Sequence, residues 1–197
     1  MSRTAPVAFA ARGRSGHLSR AVACVAMMLA LVAASFVPAP ALAADTPSGL
    51  PLPRFATIRS TPVNVRVGPG TRYDIAWVYV KSGLPVEIVQ EFDTWRKIRD
   101  VDGSVGWVHQ NMLSGKRAGI TAPWLSDQQI PLRAQRNDGG GVRAYLVPGY
   151  RVDIAGCDGT WCEVKATAQA ETGAGATYSG FMAQGELWGV YQGEAFD

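Results

Sequence analysis

Valines at positions 63, 65 and 67 alternate with Asn64 and Arg66, the period of a strand with one buried face, and Gly68-Pro69-Gly70 ends the run. Proline fixes φ and lacks an N–H, and glycine accepts φ > 0, so the chain is set to leave the sheet in a sharp turn and a loop. Ile75 to Val80 predicts a second strand with Ala76, Val78 and Val80 inward and Ile75, Trp77 and Tyr79 outward. Val86 and Ile88 mark a third. Trp95 to Arg99 gives a fourth after the bend at Phe92-Asp93-Thr94, and Val105 to Val108 a fifth after Asp102-Gly103. Short strands separated by Gly-containing turns predict a small, closed or nearly closed β-barrel over residues 57–115.

The order then repeats. Ile130-Pro131-Leu132-Arg133 answers Val63-Asn64-Val65-Arg66, and Val142 to Leu146 answers Ala76 to Val80, so that Tyr145 falls on Tyr79. Val152-Asp153-Ile154 answers Val86-Glu87-Ile88, Trp161 to Val164 answers Trp95 to Ile98, and Gly180-Phe181-Met182 answers Gly106-Trp107-Val108. The chain therefore reads as all-β, with a second, divergent barrel over 125–192, a linker over 116–124 and a tail over 193–197. Ala166 to Thr177, rich in Gly, Ala and Thr, reads as a long mobile hairpin loop. Each copy has a small core, so the two are expected to lean on one another.

The first 43 residues stand apart. Arg3, Arg12, Arg14 and Arg20 precede an apolar run over 21–37, and Pro38 to Ala43 then ends in Ala41-Leu42-Ala43, the pattern of a secretory signal peptide cleaved after Ala43. Removing four of the 19 basic residues and none of the 16 acidic ones turns the net charge from +3 to −1. With no block of like charge, nothing supports nucleic-acid binding, and no membrane span is expected after cleavage. Residues 44–56, with three prolines, read as an extended tether.

Beyond the signal only Cys157 and Cys162 remain, flanking the Asp158-Gly159 turn. An even pair in an exported chain favours a disulfide across a hairpin, and a periplasmic or secreted location. A redox-active or metal-binding pair is the alternative, against which stand the four-residue spacing and the lack of a second ligand pair.

Val65-Arg66-Val67-Gly68-Pro69-Gly70, the turn at Gly83, Trp95 and Gly106-Trp107-Val108 together resemble the bacterial SH3-like domain. Leu187 to Tyr191 and the Cys157 to Cys162 hairpin are similar to exported proteobacterial proteins with tandem SH3-like domains. The resemblance implies two SH3-like barrels acting as a non-catalytic cell-envelope binding module, often beside peptidoglycan enzymes, with the ligand in a groove between the first long loop and the strand turns. The second copy departs from the pattern, carrying Arg133-Ala134-Gln135-Arg136-Asn137 where Gly-Pro-Gly should be.

Arg66, Tyr73, Trp77, Tyr79 and Trp95 are the candidate ligand-binding residues, because aromatics beside a few charges suit sugar rings or short peptides. The outward aromatics could instead bury the interface between copies, and Arg66 and Arg133 could be solvated or ion-paired strand residues. Catalysis has little to stand on. His109 is the one histidine beyond the signal, and no nucleophile, phosphate-loop or metalloprotease motif is present. No cofactor and no metal is expected. Peptidoglycan or its peptide stems are the expected partner, and an adaptor that recruits or regulates an envelope enzyme is the alternative.

Overall fold

The computed structural model describes residues 46–168 and 175–197. The expected signal peptide lies outside the described residues. Among the described residues there is no α-helix, only strands and two 3-10 turns, Gln110–Met112 and Gln184–Glu186. Among the described residues no helix is long and apolar enough to cross a membrane.

The first sheet comprises β1 (Arg54–Ile58), β2 (Val63–Arg66), β3 (Ile75–Tyr79), β4 (Pro85–Phe92), β5 (Trp95–Arg99), β6 (Val105–His109) and β7 (Leu113–Ser114), in the order β3-β2-β6-β5-β4-β1-β7. The second holds β8 (Ala118–Thr121), β9 (Ile130–Arg133), β10 (Val142–Leu146), β11 (Arg151–Asp158), β12 (Trp161–Thr167), β13 (Thr177–Ala183) and β14 (Leu187–Trp188) in the order β10-β9-β13-β12-β11-β8-β14, with β15 (Ala195–Phe196) added beside β11. Each sheet curls around its own core. Val63, Val65, Val86, Ile88, Ile98 and Val108 fill the first, and Ile130, Leu132, Val152, Ile154, Val164 and Met182 fill the second.

The two sheets repeat one another down to their irregularities. Ile88 faces Ile98 and Ile154 faces Val164, and in each sheet a bulge follows on the long strand. Arg66 pairs with Trp107 as Arg133 pairs with Phe181. At the next rungs Glu91 faces Arg96 while Cys157 faces Cys162, so one site carries a buried ion pair in the first barrel and a disulfide in the second.

Several expectations need correction. The tether 44–56 and the linker 116–124 each contribute a strand, β1 and β8. Neither shows alternation because both lie where the barrels meet: Ala56, Thr57 and Ile58 and all four residues of β8 are buried. The tail over 193–197 also contributes a strand, β15, in which Phe196 pairs with Cys157. The ends of the loop expected over 166–177 belong to the sheet, because Ala166 pairs with Tyr178 and Thr167 with Thr177; residues 169–174 lie outside the described residues.

The face of β3 is inverted relative to the prediction. A bulge between Val65 and Arg66 leaves Ala76 as an extra residue, so Trp77 pairs with buried Val65 and, with Tyr79, packs on the core, while Ile75, Val78 and Val80 are exposed. The bulge recurs before Ala144. By register Tyr145 therefore matches Val78 and is exposed, and buried Leu146 takes the place of Tyr79.

The barrels are joined by aromatic packing. Phe55 of β1 meets Trp188 edge-on at 5.2 Å and Tyr191 at 4.8 Å between ring centroids. The Tyr191 hydroxyl donates to Glu87 Oε1 at 2.8 Å, and Arg151 Nε donates to the Gly83 carbonyl at 3.0 Å. Burial and the neighbouring Glu87 carboxylate push the Tyr191 phenol up, so it stays a donor.

The Cys157–Cys162 bridge closes a loop with a sequence separation of 5. On chain entropy such a clip stabilises by about 2 kcal/mol. Reduction with a phosphine is expected to lower the melting temperature by a few degrees without unfolding the protein at 25 °C, measured by circular dichroism; global unfolding on reduction would contradict a local clip.

Candidate functional site

The five expected ligand residues divide into three places. Arg66 and Tyr73 lie together in the loop between β2 and β3, where Arg66 Nη1 donates to the Tyr73 carbonyl at 2.6 Å. Arg133 makes the matching bond to the Gly140 carbonyl at 3.3 Å. Both arginines thus hold their loops closed, and neither is simply solvated or ion-paired. The Gly-Pro-Gly motif works through close approach: a Cβ on Gly68 would sit 2.5 Å from the Tyr73 ring, so a glycine there lets the ring lie flat against the chain. Arg72 stands 5.1 Å from the same ring centroid. Val67 and Ile75 at the loop's two ends are exposed.

Trp77 and Tyr79 sit on the core side, their rings 6.3 Å apart and edge-on. The Trp77 indole N–H is buried with no hydrogen-bond acceptor within bonding geometry. The Tyr79 hydroxyl donates to Asp100 at 3.4 Å, and burial, with the charge of Asp100, pushes its phenol up to about 12. Both aromatics pack against the core of their own barrel.

Trp95 occupies a third place, the β4–β5 hairpin, where it packs edge-on against His109 at 5.6 Å. His109 Nδ1 accepts the Asn111 N–H at 3.3 Å and so caps a 3-10 turn. The histidine has a structural task. No three His, Cys, Asp or Glu side chains converge as a metal site among the described residues.

The 67–75 segment sets the exposed Val67, Ile75 and Arg72 beside the half-buried Tyr73 ring. Arg72, with Arg66 and Asp74, is among the charges that the sequence places beside the candidate aromatics. Residues 59–115 match the family model described as bacterial SH3 domain. The first barrel is a bacterial SH3 domain. The matched segment spans β2 to β7 of this SH3 domain and leaves β1 and the second barrel outside it.

No curated protein matches the chain significantly by sequence. Among solved structures, NlpC1 of Trichomonas vaginalis is 12% identical with a TM-score of 0.28, the alignment covering 68% of this chain and 45% of that one. NlpC2 of the same organism is 11% identical with a TM-score of 0.28, covering 69% and 48%. The chain thus spans less than half the length of either structure, and scores this low carry no argument about fold or activity.

Proposed function

We propose that the protein is a non-catalytic module that binds cell-envelope material, peptidoglycan or its peptide stems, through the Tyr73 loop of its SH3 domain. The observation that carries this reading is the family match over residues 59–115, which contains the complete loop and its Arg66 brace. A flat aromatic ring beside a guanidinium suits stacking on a sugar or an amide with polar anchoring. A disulfide in the companion barrel fits an extracytoplasmic location.

Protein lacking residues 1–43 is expected to sediment with purified wall sacculi at low salt, and Tyr73→Ala to lower the bound fraction at least about fivefold, on the scale of one stacked ring. Retention of wild-type binding by a folded Tyr73→Ala variant would remove the loop from the site. A second reading, an adaptor for an envelope protein, is favoured by the exposed apolar residues Ile75 and Val78 on the edge strand β3 and Val80 just after it. Failure of the wild type to sediment would turn the choice to that reading.

A further inference from the structure

The second barrel departs from the first at neighbouring positions, and the departures meet in one place. Where the SH3 domain has Gly-Pro-Gly, the second copy's loop presents Arg136. By register Gln90 is replaced by Gly156, Lys97 by Glu163, and the Glu91–Arg96 pair by Cys157–Cys162. Arg136, Gly156, Cys157 and Glu163 all line a single open cavity of about 570 Å³, which Asp158 and Asp197 complete.

The chemistry follows from what was exchanged. Gly156 lets the backbone of Phe196 approach closely, since a Cβ there would sit 2.9 Å from the Phe196 carbonyl oxygen, and Ala155, Ala195 and Phe196 give the cavity an apolar wall beside Glu163 on β12. Loss of Lys97 in favour of Glu163 reverses the charge at the wall. Glu163 is half-buried and makes no side-chain hydrogen bond or ion pair among the described residues. Asp158 accepts the backbone N–H groups of Trp161 at 2.8 Å and Thr160 at 3.0 Å, which hold its carboxyl below the usual range. The cavity's cation, Arg136, is already engaged, 3.3 Å from Asp158 and 5.0 Å from the Phe181 ring centroid. Three carboxylates and one occupied guanidinium leave the cavity short of positive charge.

We propose that this cavity is a second binding site, independent of the Tyr73 loop, for a compact organic cation: a primary ammonium on an alkyl chain, such as a free side-chain amino group of a peptide. Glu163 receives the ammonium, the alkyl chain lies along the wall of Ala155, Ala195 and Phe196, and Arg136 sets the rim.

The test uses protein lacking residues 1–43 with the disulfide intact, titrated by NMR with Nα-acetyl-lysine amide and with the uncharged Nα-acetyl-norleucine amide, whose chain ends where the lysine ammonium begins. The lysine probe is expected to shift resonances of Gly156 and Glu163 and to bind about tenfold more tightly than the norleucine probe, one charge-assisted hydrogen bond in scale. Glu163→Gln is expected to abolish that preference. Arg136→Gln, which removes the opposing cation, is expected to strengthen lysine binding severalfold, an outcome that misfolding cannot imitate. Equal binding of both probes, or an unchanged preference in Glu163→Gln, would overturn the proposal. The sacculus assay with Tyr73→Ala reads the other site, so failure of either proposal is seen separately.

Discussion

Replacing Glu91 with alanine is expected to cost about 3–5 kcal/mol, the scale for breaking a buried ion pair on one side only. The Glu91 side chain is fully buried and accepts from Arg54 Nη2 at 2.5 Å, Arg96 Nε at 3.1 Å, the Ser48 hydroxyl at 2.8 Å and the Ser48 N–H at 2.9 Å. Removing it strands Arg96, which is itself only 5% exposed, and frees the Ser48 to Arg54 segment from the barrel. Glu91→Ala with Arg96→Ala should recover part of the loss, since no buried charge then remains. Urea denaturation of the wild type, each single variant, Glu91→Ala and Arg96→Ala, and the double variant measures it. A loss under 1 kcal/mol in the single variant would show that the network adds nothing.

The same carboxylate predicts a pH dependence. Burial opposes its ionisation, but the bonds from Arg54 and Ser48 outweigh burial and hold Glu91 below its ordinary value of 4.5. The unfolded chain therefore takes up the proton first. Stability from this group is complete above about pH 4.5 and drains away as the pH falls toward the folded-state value. The Glu91 variant should lack this part of the acid-side slope.

Replacing Phe55 with alanine is expected to cost about 2–3 kcal/mol, less than for a fully buried aromatic because the ring is half-buried. The more telling effect is on cooperativity. Phe55 belongs to β1 of the first barrel and packs on Trp188 and Tyr191 of the second, with the Arg117 guanidinium 5.9 Å from its ring centroid. Without that ring, the bonds from Tyr191 to Glu87 and from Arg151 to Gly83 are the polar links left between barrels. One calorimetric transition in the wild type should become two in Phe55→Ala. A single, merely shifted transition would show that the barrels are coupled elsewhere.

How much of this was legible depended on whether a strand had one wet face. β2, β5 and β6 were readable from Val63/Val65, Trp95 to Arg99 and Gly106-Trp107-Val108, because each carries alternation or a turn motif at its end. β1 and β8 were not, since burial on both faces erases the period that identifies a strand. Trp77 and Tyr79 were placed on the wrong face because a bulge adds one residue at Ala76, and nothing in Ile-Ala-Trp-Val-Tyr marks where it falls. Tyr145 inherited the same one-residue slip. Of the candidate site, the loop motif and Tyr73 could be found from sequence, whereas the grouping of Arg136, Gly156 and Glu163 required the register of three strands.

The exchange of an ion pair for a disulfide at one rung also orders how the molecule is made. Glu91 and Arg96 join as soon as their strands pair, using nothing but the chain itself. Cys157 and Cys162, later in synthesis, can join only after two electrons have been passed to an oxidant. The first barrel's brace is thus autonomous, while the second's is completed by its surroundings, and the finished molecule carries a chemical record of having reached an oxidising compartment.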